Sequence, residues 1–169
     1  MPAARLIAIL ACLALGGCFQ SSREFISAAQ AEFPFQTLTY SARDEEESFT
    51  LARRGDAYQV SGEDTEVRLK TVGARSWLVQ THVVDDGQSL YLYGVAVVAA
   101  DGKSFEVYKS IAEPDDRTPA VLAKYGLAVC ATESDNICPS SADAYVSFVT
   151  DRIAAGDPPS DRFEILERK

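Results

Sequence analysis

The chain is poor in the side chains that most often carry chemistry. Its 169 residues hold a single histidine, His82. A zinc site draws about four nitrogen or sulfur ligands at local spacings, and one histidine cannot supply them. None of the four cysteines, Cys12, Cys18, Cys130 and Cys138, forms a Cys-X-X-Cys pair. Beyond the N-terminal stretch there is no Gly-X-X-X-X-Gly-Lys or Gly-X-Gly-X-X-Gly loop, so the common phosphate cradles are missing. There is no Gly-X-Ser-X-Gly elbow either. Asp85-Asp86-Gly87 and Asp115-Asp116 do not follow calcium-loop spacing, and turn chemistry accounts for both. The acidic run from Asp44 to Glu47 reads as a solvated loop. Basic residues are scarce, 16 against 25 acidic ones, for a net charge of −9. Phosphate backbones repel such a chain, which excludes nucleic acid as a partner. No metal or other cofactor is expected.

Long apolar runs are also missing. The longest, Leu6 to Leu15, falls short of the ~20 residues a membrane-crossing helix needs. It follows Arg5 and ends in Gly16-Gly17, and Gln20, Ser21, Ser22 and Arg23 come soon after. A positive start, a short apolar core and small residues at the end define a secretory signal.

Leu15-Gly16-Gly17-Cys18 resembles the lipobox of bacterial lipoproteins: Leu, two small residues, then cysteine. The resemblance covers only the leader. It implies cleavage before Cys18, a thioether-linked diacylglycerol on its sulfur and usually a third chain on its amine. Two or more chains hold stably at about 0.8 kcal/mol per buried CH₂. Phe19, rather than Asp, follows the cysteine, which resembles the class sent to the outer membrane and facing the periplasm. The membrane, reached through the acyl chains, is thus one expected partner.

On this reading residues 1–17 are a signal peptide, 18–35 the lipidated N-terminus with a tether, and 36–169 a single domain. Arg5 is the only charge lost with the leader, so 15 basic residues then face 25 acidic ones. Such acidity favours solubility and suits a basic partner. Cys130 and Cys138 remain as a pair in an oxidising compartment. They close a nine-residue loop, which predicts a structural disulfide contributing about 2.5 kcal/mol.

The body of the chain predicts an α+β fold. From about 37 to 111 the apolar pattern has period two. Phe49 and Leu51, Tyr58 and Val60, and Val67 and Leu69 mark successive strands. Tyr91, Tyr93, Val95 and Val97 share one face of a strand whose other face holds Leu90, Leu92, Ala96 and Val98, so both faces should be covered. Arg53-Arg54-Gly55-Asp56, Asp85-Asp86-Gly87-Gln88 and Asp101-Gly102 read as turns. The expectation is a curved antiparallel meander of about six or seven strands. Two C-terminal helices should pack on one face or end. The first follows Thr118-Pro119; the second, capped by Ser140 or Ser141, carries Tyr145, Phe148, Val149 and Ile153 as a stripe. Leu127 to Ala131 and Phe163 to Leu166 suggest short strands. Within the tether, Arg23 to Glu32 is compatible with a short helix.

With no assembled catalytic constellation, binding is the expected mode of action. The chain reads as a component or accessory of an envelope assembly, or as a carrier of a small apolar ligand. Trp77, His82, Tyr91, Tyr93 and Tyr108 are the candidate binding residues, because aromatics concentrate in the middle strands. Tyr108, out of phase with Phe105 and Val107, is expected to face outward. The alternative is a periplasmic hydrolase using His82 with a nearby Asp, such as Asp85 or Asp86, and a Ser.

Overall fold

A computed structural model describes residues 19–43, 47–85, 87–109, 119–130 and 137–169. The leader, Cys18, Thr118, Asp86 and the interior of the cysteine loop lie outside the described residues. The elements run in chain order: β1 (Phe19–Ser21), a 3₁₀ turn (Ala28–Gln30), β2 (Thr37–Ala42), β3 (Ser48–Arg54), β4 (Ala57–Val60), β5 (Glu66–Gly73), β6 (Ser76–Asp85), β7 (Gln88–Val98), β8 (Ser104–Tyr108), α1 (Pro119–Lys124), β9 (Leu127–Val129), β10 (Ile137–Pro139), α2 (Ala142–Ala155) and β11 (Asp161–Arg168).

Among the described residues the fold is mostly antiparallel β with two helices, and its sheet corrects the expected meander in two ways. It has eleven strands rather than six or seven, and eight of them close into a barrel. Strands β2 to β8 pair in sequence order; β11 then joins β8 to β2. Closure gives each of the eight barrel strands a partner on both sides, where an open eight-stranded sheet would carry two free edges. The hairpins form at the sequence turns. Gly102, for example, takes φ of 69° between β7 and β8, a region open to glycine at no steric cost.

Register divides the side chains between two cores. Leu38 faces Leu51, Leu51 faces Val60, and Tyr58 faces Val67. These residues and Leu69 are buried on the inner face of the barrel. The rings of Tyr40, Phe105 and Phe163 lie 4.9 to 5.5 Å apart on the same face. The second core lies outside the wall, where Leu78, Tyr93 and Val95 meet Leu122, Leu127, Ile137, Tyr145, Phe148 and Val149. Strand β7 therefore packs on both sides. Each large side chain so buried contributes about 1.5–3 kcal/mol.

Helix α2 forms where its stripe indicates. The Ser141 side chain accepts a bond from the Ala144 amide at its start. Gly156, at φ 93°, ends it with bonds to the Arg152 and Ile153 carbonyls, a left-handed cap that favours glycine.

Residues 19–35, expected as a tether with a short helix, are instead built into the fold. Strand β1 pairs with β7 through Phe19–Tyr93, Gln20–Leu92 and Ser21–Tyr91. It shares that edge of β7 with β8, which pairs from Val95 onward. Phe19 is 1 % exposed, and only Ala28–Gln30 is helical. Glu32 then donates its amide to the Leu69 carbonyl at 2.8 Å, beside β5 where its pairing with β4 has ended. Phe33 and Phe35 pack against Tyr58, whose hydroxyl donates to the Phe35 carbonyl at 2.8 Å.

On the far side of β1, β10 pairs in parallel and β9 pairs with β10. Cys130 and Cys138 are joined in a disulfide, with Cα atoms 5.1 Å apart, and link the end of β9 to β10. Among the described residues no helix is long and apolar enough to cross a membrane.

Candidate functional site

The outer face of β6 passes from covered to open along Leu78, Gln80, His82 and Val84. Leu78 and Gln80 are buried, His82 is half-buried and Val84 is exposed. The cover is the N-terminal segment, and Gln80 holds it. Its Oε1 accepts from the Phe25 and Ile26 amides at 2.7 and 2.8 Å, and its Nε2 donates to the Ile26 carbonyl at 3.1 Å. A glutamine 2 % exposed must find such partners, because burying an unpaired amide costs several kcal/mol. Tyr93 adds a bond from its hydroxyl to the Arg23 carbonyl at 2.6 Å, and its ring stacks on Phe25 at 4.7 Å. Burial drives the Tyr93 hydroxyl well above the usual phenol range. Arg68 reaches the same segment, pairing with Glu24 and donating to the Ile26 carbonyl at 3.2 Å.

Where this cover ends, four polar and aromatic side chains converge. Register sets Glu66 of β5 opposite His82 and His82 opposite Tyr91 of β7. The His82 ring stacks on Tyr91 at 4.9 Å. Its Nε2 lies 3.1 Å from Ser89 Oγ, and its Nδ1 lies 3.9 Å from Glu66 Oε2. The chemical order is hydroxyl, imidazole, carboxylate, which is the order of a nucleophile, its base and the group that orients the base. The first link is a hydrogen bond; the second exceeds hydrogen-bond length. The side chains of His82 and Glu66 are 27 % and 44 % exposed, and Ser89 is exposed. They stand on a strand face, not in a cleft that would exclude water.

The predicted binding residues do not form one site. His82 and Tyr91 meet, as described. Trp77 lies on the inner face of β6 and packs in the barrel. Tyr93 is 2 % exposed beneath the N-terminal segment. Tyr108 faces outward from the barrel but packs against the outer core, and its hydroxyl donates to Glu106 Oε2 at 3.1 Å. Burial, and then that bond to Glu106, raise its pKa.

Glu66, Ser89 and Gln80 carry the geometry and were not singled out in the sequence. Glu66 is sixteen positions from His82, and only strand register brings them together. Among the described residues the acid beside His82 is Glu66; Asp86 and the Asp85 side chain, the acids expected from the sequence, lie outside the described residues.

A shallow depression of about 440 Å³ lies elsewhere, between Arg54 and Gln59 and the turn carrying Ser61, Gly62, Glu63 and Asp64. It is open, its lining mixes polar and apolar groups, and none of the candidate residues lines it. Among the described residues, no group of three or more His, Cys, Asp or Glu side chains is placed to hold a metal. No protein-family model matches the chain, and no curated protein or solved structure matches it either.

Proposed function

We propose that the chain is a lipid-anchored protein of the bacterial envelope, held through acyl chains on Cys18 at the outer membrane facing the periplasm. Its barrel acts by binding, as a component or accessory of an envelope assembly. The observation that carries this reading is the place of Phe19. The lipobox ends at Cys18, and the next residue is a core residue of the sheet. The carrier reading is weaker. An eight-stranded barrel is either filled by its own side chains or holds one small ligand. Here Leu38, Leu51, Tyr58, Val60, Val67 and Leu69 are buried inside it. The net negative charge suits a basic protein partner.

Protein made in a bacterial periplasm and extracted in detergent tests this. The mature chain should start at Cys18, carry the mass of its acyl chains and fractionate with the outer membrane. Native mass spectrometry of delipidated protein should show co-purified envelope protein rather than a retained apolar mass.

One observation favours a second reading, a hydrolase: the 3.1 Å bond from His82 to Ser89 beside Glu66. Ester turnover by the wild type, abolished by both His82→Ala and Ser89→Ala, would establish it and displace the binding reading.

A further inference from the structure

We propose that the short edge strand β9 rests on the bilayer, so that the domain sits flush with the membrane rather than standing off it. This rests on the lipid-anchor reading and adds which surface meets the lipid.

The argument begins with spacer length. Cys18 is one peptide bond from Phe19, and Phe19 is fixed in the sheet by its pairing with Tyr93 and by burial. No free residue separates the anchor from the wall. An acylated sulfur there brings its surroundings to the headgroup level. Those surroundings are ordered: Phe19 pairs with Ile137, and Ile137 pairs with Val129. Two strand spacings of about 4.8 Å put Val129 roughly 10 Å from the anchor point.

Among the described residues strand β9 pairs only with β10, and none of them pairs with its other edge. Closure of the barrel leaves β9 as the end of the sheet. Its residues, Leu127, Ala128 and Val129, carry no charge. Ala128 is exposed, and Val129 is 43 % exposed. In a chain whose 25 acidic residues face 15 basic ones once the leader is removed, a charge-free apolar edge is repelled little by anionic headgroups. Lys124, exposed in the last turn of α1 three residues earlier, adds a cation. Unpaired backbone groups of an edge strand normally invite another strand. At a membrane interface, water and headgroups satisfy them instead.

The test uses the full acylated chain in vesicles of phosphatidylethanolamine and phosphatidylglycerol with brominated acyl chains. Tryptophan placed by Val129→Trp is compared with Leu166→Trp, which is 56 % exposed on β11. Leu166 lies roughly 30 Å from the anchor point by strand rise and spacing. The native Trp77 signal is subtracted. Ala128→Trp is a second probe on β9 in case Val129→Trp disturbs the fold. At least a twofold stronger quenching at β9 than at Leu166 is expected. Equal quenching at both places in an acylated protein overturns flush seating and leaves the anchor standing. A mature chain with no acyl mass overturns both.

Discussion

The ring of Phe19 lies 4.4 Å, centroid to centroid, from that of Tyr145. A residue at the start of the sheet thus packs on the first turn of α2. The hydroxyl of Tyr145, in turn, donates to the carbonyls of Tyr93 and Tyr108 at 3.2 and 3.1 Å. The pair locks β1, β7, the end of β8 and α2 into one outer core.

Phe19→Ala should therefore behave as a core truncation. The expected loss is about 3–5 kcal/mol, measured by urea unfolding of residues 19–169. A loss below about 1 kcal/mol would mean that β1 is a tether after all.

Gln80→Ala removes the clamp on the N-terminal segment. It strands the Phe25 and Ile26 amides and the Ile26 carbonyl. Each buried group left without a partner costs about 1–3 kcal/mol, so a total of about 2–4 kcal/mol is expected once water reaches part of the gap. Hydrogen exchange should show faster exchange at Phe25 and Ile26 with little change in β2–β3.

Reducing the Cys130–Cys138 bond should cost about 2.5 kcal/mol, because it releases a nine-residue loop in the unfolded chain. In denatured protein comprising residues 19–169, which hold only these two cysteines, thiol reagent should find no free thiol before reduction and two after it. Finding two before reduction would overturn the bond.

Tyr40 sets an alkaline limit. Burial first, and the Glu63 charge second, raise its pKa from 10.0 to about 12. The folded state thus holds this proton more tightly than the unfolded state does. The resulting stability is fully present below pH 10 and is lost as pH rises through about 12. At 1.36 kcal/mol per unit, its ceiling is about 2.7 kcal/mol. Tyr40→Phe should flatten the fall in stability between pH 10 and 12, and absorbance at 295 nm should lose one late-titrating tyrosine. An unchanged slope would count against the buried hydroxyl.

What could be read from the sequence was local. The Arg54-Gly55-Asp56 and Asp101-Gly102 turns announce their hairpins because backbone conformation at two or three residues decides them. Tyr145, Phe148 and Val149 announce the buried side of α2 because helical spacing alone places them together. The two covered faces of β7 also follow from its unbroken apolar run. What escaped was non-local. Phe19-Gln20-Ser21 is too short to show a period, and its strand exists only because Tyr93 waits across the ladder. Barrel closure depends on Phe163 facing both Phe105 and Ala42, a pairing of distant segments. Gln80 looks like a solvent-facing residue in an alternating strand. Its burial comes from a segment 54 residues earlier.

Closure through β11 also bears on how the molecule is assembled. This strand is last in chain order and is seated between β8 and β2, where the Lys169 amide and carbonyl bond with Thr37. A polypeptide delivered N-terminus first therefore holds β2 and β8 as sticky, unpartnered borders until β11 arrives. Pairings of such long sequence separation form slowly. During that delay the nascent sheet is open to clumping and to escorting chaperones.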